Sequence, residues 1–123
     1  MNAHTSMTPI ELGEAYIEAW NRKDIGAITR LIHPQAHFKG PMAETSGRDA
    51  IVASIQRMFP IFRSIKIRSK FAKGDRAIFT YDFECMPPIG VGRVADQMRM
   101  EDGLIKDFEL FFDARPFDKM SQG

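Results

Sequence analysis

The sequence predicts one α+β domain, with helices in the first half of the chain and strands in the second half. The first half carries amphipathic segments of helical period that begin at capping signals. From Ser64 onward, apolar residues recur at every second position, which is typical of half-buried strands. Turn signals at Gly74-Asp75 and Asp102-Gly103 separate these strands. A chain of 123 residues suits a single domain, taken here as 1–123, in which helices pack on one face of a sheet.

The first helix has the clearest start signal. Thr8 can cap it, Pro9 suits its first position, and Glu11 can complete a capping box. Its buried face is predicted from the helical spacing of Leu12, Ala15, Tyr16, Ala19 and Trp20.

Two further helices are predicted before the sheet. Asp24 can cap the second helix, and Pro34 should end it, because the residue before a proline disfavours helix. A short strand is expected at 36–39, followed by a loop. The segment 46–49 resembles another capped start, and Pro60 should end this third helix.

The hairpin around Gly74 can be placed in register from its side-chain pattern. A loop of three residues, 74–76, pairs Ile67 with Phe83 and Arg68 with Asp82. That register keeps the apolar rows on one face and opposes charges on the other. A two-residue loop would oppose Ile67 to Asp82 and mix the faces, so the three-residue loop is predicted. The apolar row should include Ile65, Ile67, Phe71, Phe79, Tyr81, Phe83 and Cys85.

Two more strands are predicted at 93–100 and 104–112, and the tail after Arg115 is expected to be loosely held. In the first of them Asp96 lies in the same row as Val94 and Met98, so alternation sends this carboxyl group toward the core. A buried carboxyl group needs a partner or must stay protonated. Tyr16, on the buried face of the first helix, is the candidate partner. The alternatives are a solvent-facing Asp96, a bulge that shifts the strand, or a purely structural hydrogen bond.

Composition and charge exclude several classes of function. The chain has 17 basic and 16 acidic residues, a net charge of +1, so no nucleic-acid or anionic-membrane partner is expected. Cys85 is the only cysteine, which excludes an internal disulfide and metal sites built on paired cysteines. No signal peptide and no membrane-spanning run are recognisable, and a cytoplasmic location is expected.

Other chemical motifs are missing from the sequence. The three histidines, His4, His33 and His37, do not form a metal set, since no carboxylate falls at ligand spacing with them. There is no glycine-rich phosphate loop, and no serine or cysteine has a visible base. No metal and no cofactor are therefore expected.

Several short motifs resemble the nuclear-transport-factor-2-like superfamily, which includes ketosteroid isomerases, limonene-epoxide hydrolases and SnoaL-like polyketide cyclases. The first helix ends in Asn-x-x-Asp within 16–24, and 46–51 resembles the opening of the third helix. The stretches 101–105 and 111–113 match the last hairpin, so the resemblance covers about residues 8–117. It implies a cone-shaped, curved antiparallel or mixed sheet (a cystatin-like α+β barrel) with the three helices on its concave face. It also implies a homodimer through the outer sheet face.

The ketosteroid isomerases give the most informative resemblance. By their motifs at 79–84 and 95–99, Tyr16 falls on the oxyanion-hole tyrosine and Asp96 on the protonated aspartic acid. The isomerase base precedes a proline, and Gly40 before Pro41 occupies that place here, so the general base is absent. His37, Lys39 and Glu44 reach the mouth only if the alignment shifts, and His37 and Lys39 are expected at an exposed strand edge.

Epoxide hydrolysis is not expected. The resemblance would require Arg-x-Asp where the chain has Tyr81-Asp82-Phe83, and an aspartate where it has Leu110.

The resemblance implies an apolar pocket at the wide end of the cone, with Tyr16 and Asp96 as catalytic residues. The predicted function is a ketosteroid-isomerase-like or SnoaL-like enzyme that acts on a small hydrophobic carbonyl compound of steroid, polyketide or terpenoid type. The alternatives are a non-catalytic protein that binds small hydrophobic molecules and a dimerisation module with a filled core. The expected substrate-binding residues are Trp20, Phe38, Met58, Phe59, Phe79, Tyr81, Phe83, Met98, Phe108, Leu110 and Phe112.

Overall fold

The computed structural model describes the backbone of residues 7–122 and the side chains of residues 7–118. It contains four helices and six strands in these residues. The helices are α1 (Pro9–Asn21), α2 (Ile25–Leu31), α3 (Arg48–Met58) and α4 (Arg115–Gln122). The strands are β1 (Ile32–Lys39), β2 (Glu44–Ser46), β3 (Phe62–Lys73), β4 (Arg76–Cys85), β5 (Val91–Glu101) and β6 (Leu104–Phe111).

The six strands form one mixed sheet in the order β2-β1-β6-β5-β4-β3. Strand β1 runs parallel to β6, and every other neighbouring pair is antiparallel. The sheet is not closed into a barrel, since β2 and β3 are its two edges. Helix α1 packs across β3, β4, β5 and β6, and the core lies between it and the sheet. The α+β class is therefore confirmed.

The predicted start of α1 is confirmed in detail. The backbone N–H of Glu11 donates to Thr8 Oγ1 at 3.1 Å, and the backbone N–H of Thr8 donates to Glu11 Oε1 at 2.9 Å. Asp24 caps α2 as predicted, accepting from the backbone N–H of Ala27 at 3.0 Å. Local capping therefore fixes where both helices begin.

A glycine lets α1 approach the sheet closely. A Cβ atom at Gly13 would lie 2.2 Å from Cε1 of Phe79, which points up from β4. No larger residue fits there without a shift of the aromatic ring. This close contact sets the height at which Tyr16, one turn further along α1, lies above the sheet.

Strand β1 begins earlier than predicted. It starts at Ile32, directly after α2, and so includes Pro34, which was expected only to end the helix. The pairing of β1 with β6 is irregular between Ile32 and His37. Proline is tolerated there because the pairing is irregular at this point, so no regular hydrogen bond of the sheet depends on the N–H that proline lacks.

The segment after β1 also differs from the prediction of a plain loop. Strand β2 pairs antiparallel with β1, with Ser46 opposite His37. Helix α3 is capped by Gly47, whose φ is 93°, and it has no side-chain capping bond. The predicted capped start at 46–49 was therefore right about the helix and wrong about the cap.

The predicted register of the β3–β4 hairpin was wrong. Lys73 pairs with Arg76 around a two-residue turn, and Ile67 pairs with Tyr81. The register shifts between Ile67 and Ser69, where β3 has one extra residue, Arg68. This bulge brings Ile65 and Ile67 opposite Phe83 and Tyr81 on the inward face, a match that the three-residue loop had been invoked to explain.

The bulge also moves Phe71 to the other face. Phe71 is 66% exposed and pairs with Ile78, which is 40% exposed, on the outer side of the sheet. The expectation that Phe71 continues the inward row was therefore wrong, because one extra residue reverses the alternation.

The tail after Arg115 is not loose as expected, because it forms α4. The ring of Phe117 lies 5.9 Å from that of Phe112 in an edge-to-face contact. No helix within the described residues combines the length and apolar character required to cross a membrane.

Candidate functional site

Asp96 lies in the inward row of β5, as predicted. Its strand neighbours are Phe79 on β4 and Leu110 on β6. The carboxyl group is only 1% exposed, so the alternative of a solvent-facing Asp96 was wrong. Alternation along a strand alone has placed an acid in the apolar interior.

The hydrogen-bond partner of Asp96 is Tyr81 and not Tyr16. The Tyr81 hydroxyl donates to Asp96 Oδ2 at 2.9 Å, whereas Oδ1 is buried and has no hydrogen-bond partner among the described residues. Tyr81 pairs with Val94, two positions from Asp96, and a side chain as long as tyrosine reaches such a diagonal neighbour. The predicted bond to Tyr16 was wrong because this tyrosine on the neighbouring strand already holds the carboxyl group.

Burial controls the protonation of Asp96. It raises the pKa of this carboxyl group to about 7, and the hydrogen bond from Tyr81 acts in the opposite direction with a smaller effect. Both protonation states are therefore populated near neutral pH, so Asp96 can donate a proton or accept one.

The two tyrosines of the site remain protonated. Burial raises the pKa of Tyr16 well above its usual value, and the charge of Asp96 raises it further, against a hydrogen bond with the Trp20 side chain. Burial and the same charge also raise the pKa of Tyr81. Both phenols are therefore hydrogen-bond donors at any physiological pH.

A cavity of about 280 Å³ opens beside these groups. Its size is near the lower end of small-molecule pockets, roughly 300–1,000 Å³. The alternative of a filled core is therefore disfavoured. The cavity is lined by nine of the predicted site residues: Tyr16, Trp20, Phe38, Met58, Tyr81, Phe83, Asp96, Leu110 and Phe112.

Four predicted pocket residues do not line the cavity. Phe79 is fully buried against Gly13, and Met98 is fully buried in the row between Ala77 and Phe108. Phe108 is covered by Tyr16, whose ring centre lies 5.1 Å away.

Phe59, the fourth, packs edge-on against Trp20 at 5.6 Å, outside the cavity lining. Facing inward is therefore not sufficient to line the cavity, because α1 fills the space over one end of the sheet.

Sequence reasoning missed the mouth of the cavity. Ser54 and Arg57 of α3 line it, together with Met42 of the β1–β2 loop and Asp113 and Phe117 near α4. Helical spacing from Met58 could have found Ser54, one turn earlier. The loop and the last helix carry no periodic signal that points toward the cavity.

Gly40 lines the cavity where the isomerase base was sought. A Cβ atom there would lie 3.5 Å from the Phe38 ring and 3.7 Å from Leu110 Cβ, which are ordinary contacts. Position 40 therefore has room for a side chain, but glycine does not provide one.

The substitute bases considered for Gly40 lie elsewhere. His37 Nε2 is 2.7 Å from Glu44 Oε2, and His37 Nδ1 is 3.0 Å from Ser46 Oγ. The sequence analysis found no base beside any serine and missed the contact of His37 with Ser46, because β2 was not predicted. Because Phe38 faces the cavity, His37 faces the opposite side of β1. None of His37, Lys39 and Glu44 lines the cavity.

The fold also brings carboxylates to His33, which sequence spacing did not show. His33 Nε2 lies 3.5 Å from Asp102 Oδ2 and 3.9 Å from Glu101 Oε2. His33 Nδ1 accepts a hydrogen bond from the backbone N–H of Gln35 at 3.0 Å. The ring proton therefore lies on Nε2, facing the carboxylates, so this nitrogen offers no lone pair to a metal ion.

The curved open sheet, with α1 over an apolar cavity, defines the nuclear-transport-factor-2-like class of α+β proteins. A family model described as the SnoaL-like domain matches residues 14–108, and the chain belongs to that family. No curated protein matches the chain in sequence.

Solved structures share this fold at low sequence identity. An NTF2-like protein of unknown function from Cytophaga hutchinsonii has 22% identity and a TM-score of 0.82, over 92% of this chain and 96% of that one. A proposed ketosteroid isomerase from Kribbella flavida has 15% identity and a TM-score of 0.75, over 83% and 75%. A proposed polyketide cyclase from Pseudomonas putida has 19% identity and a TM-score of 0.78, over 93% and 98%. At these identities the likeness establishes the fold alone.

Proposed function

We propose that this protein is an enzyme of the ketosteroid-isomerase-like or SnoaL-like kind that acts on a small apolar carbonyl compound, of steroid, polyketide or terpenoid type. The observation that carries this proposal is Asp96, a fully buried carboxyl group on the wall of an apolar cavity. Its Oδ1 atom is buried and has no hydrogen-bond partner among the described residues, and we assign this atom to a ligand oxygen.

Asp96 and Tyr16 act as hydrogen-bond donors in this proposal. When a carbonyl compound loses a proton next to its carbonyl group, negative charge develops on the oxygen. Protonated Asp96 donates to that oxygen from Oδ1, while Tyr81 holds Oδ2 in place. Tyr16 supplies a second donor from α1. Preorganised donors of this kind contribute roughly 2.7–4 kcal/mol each to transition-state stabilisation.

Proton removal requires a base, and two carboxyl groups, Asp96 and Asp113, line the cavity within residues 7–118. Asp113 is bound by Arg115, which lowers the pKa of Asp113 to about 2 and makes it a weak base. Asp96 cannot fill this role in the proposal, because its protonated carboxyl group is already the donor to the oxygen. Gly40 offers no side chain, so the described residues supply no dedicated base, and we assign proton removal to a water molecule in the cavity.

A titration with equilenin, a fluorescent phenolic steroid that mimics an enolate, tests the site. The wild type should bind it, and Asp96→Asn should weaken binding by roughly tenfold or more, since one charge-assisted hydrogen bond is lost. Asp82→Asn is the matched control, because Asp82 lies on the other face of β4 and does not line the cavity. Equal binding by wild type and Asp96→Asn would contradict the donor role.

A non-catalytic binding protein is the second candidate, favoured by the missing side chain at Gly40. The two functions differ in proton transfer. In D₂O the enzyme should accelerate exchange of the α-hydrogens of 2-tetralone, an apolar ketone, and Asp96→Ala should abolish the acceleration. A protein that binds 2-tetralone without accelerating exchange would be a carrier.

We also propose a homodimer in which the outer sheet face pairs with a second copy. Phe71, Ile78 and Phe111 are exposed on that face, which supports a contact between copies.

A further inference from the structure

The mouth of the cavity carries a cationic side chain far more exposed than Asp96. Arg57 lies in the last turn of α3 and lines the cavity beside Ser54 and Met58. These three residues share one face of the helix, because positions three and four apart are neighbours. Arg57 is an exposed residue, whereas Asp96 is fully buried, so the cavity has a cationic side chain near solvent and an acid in its interior.

Each of the two carboxyl groups that line the cavity among the described residues is held by another side chain. Asp113 is bound by Arg115, with Nη2 to Oδ2 at 2.6 Å and Nε to Oδ1 at 2.9 Å. Asp96 is bound by Tyr81. Within residues 7–118, Arg57 takes part in no ion pair and no side-chain hydrogen bond.

A basic residue in the last turn of a helix can simply complement the helix dipole in water. Arg30 is such a residue in α2, where it does not line the cavity. Arg57 differs in that its side chain forms part of a cavity wall that is mostly apolar. A ligand that fills the cavity would therefore displace water from the guanidinium group. An anionic group on the ligand would compensate for this lost hydration.

We propose that the ligand is an amphipathic monoanion, with an apolar body, a carbonyl group at the inner end and a carboxylate at the mouth that binds Arg57. A planar guanidinium matches a carboxylate with two parallel hydrogen bonds. The carboxylate cannot bind at the inner end when Asp96 is ionised, because the two anions repel. The carboxylate of the proposed ligand is inferred from Arg57, and its carbonyl group rests on the proposed function.

Isothermal titration calorimetry at pH 8 with 6-phenylhexanoate and 6-phenylhexanamide tests the carboxylate site. The two probes differ only in charge, and their flexible chains adapt to the depth of the cavity. The wild type should bind the carboxylate about two- to fivefold more tightly than the amide, as expected for an exposed ion pair. Arg57→Gln should bind both equally, and Arg30→Gln should keep the wild-type preference.

Equal affinity for the two probes in the wild type, or a preference that survives Arg57→Gln, would overturn the proposal. Failure of both probes to bind would overturn it as well. Failure of the proposed function is read separately, from α-hydrogen exchange in Asp96→Ala. A preserved carboxylate preference together with exchange that does not depend on Asp96 would leave an anion-binding pocket without the catalytic role.

Discussion

The hydroxyl of Tyr81 donates a 2.9 Å hydrogen bond to Oδ2 of Asp96 across neighbouring strands β4 and β5. Burial raises the pKa of Asp96 to about 7, and this bond is what limits the increase. Tyr81 therefore acts as a positioning residue that keeps the pKa of the acid close to neutral pH, while Oδ1 has no hydrogen-bond partner among the described residues.

Tyr81→Phe should raise the midpoint at which Asp96 titrates, because the bond that favours the carboxylate is removed. It should also destabilise the fold by about 1–3 kcal/mol, the cost of leaving a buried polar atom without a partner. Carboxyl-carbon NMR of aspartate-labelled protein measures the midpoint. Tyr16→Phe is the control and should leave the midpoint close to that of the wild type. A midpoint that falls in Tyr81→Phe would contradict the assignment of this bond.

The sequence placed Asp96 correctly because period-2 alternation needs no knowledge of tertiary structure. It chose the wrong tyrosine because two phenols face the interior, and the choice between them depends on distances that only the folded chain sets. The bulge at Arg68 was missed because Ile65, Ile67 and Phe71 alternate without interruption in the sequence, so the pattern does not show that an extra residue moves Phe71 to the other face. The mouth of the cavity is built from Met42, Arg57 and Phe117, which lie on a loop and near helix ends. Sequence periodicity does not predict how closely these segments approach the sheet.

The pH dependence of stability should reveal buried Asp96. Its pKa rises from 3.8 in the unfolded chain to about 7 in the folded protein, so the folded state binds more protons between these values. Stability should therefore fall as pH rises from about 4 to about 7, and the penalty should be complete above pH 7. Its full size is on the order of 4 kcal/mol, from 1.36 kcal/mol for each pKa unit.

Urea unfolding of the wild type and Asp96→Asn between pH 5 and 9 measures this effect. The variant lacks the titrating group, so its stability should change less with pH and should exceed that of the wild type at pH 8. Parallel pH profiles for the two proteins would show that Asp96 is not the residue responsible.

Gly13→Ala should destabilise the protein by roughly 1–3 kcal/mol, the usual cost of overpacking a core. The added Cβ would lie 2.2 Å from the Phe79 ring. Gly26→Ala in α2 is the matched control, since its Cβ would meet its nearest neighbour, Arg30 Nη1, at 3.4 Å. Thermal unfolding should show a lower midpoint for the first variant and little change for the second. Phe79→Leu should restore part of the stability that Gly13→Ala loses. If the midpoint does not recover, the contact with Phe79 is not the cause of the loss.

The outer sheet face should hold two copies of the chain together. Phe111 is 54% exposed there, next to Ala95 of β5, and its apolar ring would be covered in a dimer. Phe111→Glu should shift the protein toward the monomer in sedimentation equilibrium, since a charge would be buried without a partner. Met86→Glu, which alters an exposed methionine beyond the end of β4, should leave the assembly unchanged. If the wild type sediments as a monomer, the proposed homodimer is wrong.

Gly40→Asp should give the cavity the base that it lacks. The backbone of Gly40 lies outside the left-handed region, and its Cβ position makes only ordinary contacts, so the side chain should fit without strain. A carboxylate at that position could take a proton from a ketone whose oxygen is bound by Asp96 and Tyr16. Exchange of the α-hydrogens of 2-tetralone should then rise by on the order of 10²-fold, the lower range for a positioned general base. Gly40→Asn has nearly the same shape without basicity and should not show the gain. An equal rate in the two variants would mean that position 40 does not face the reacting carbon.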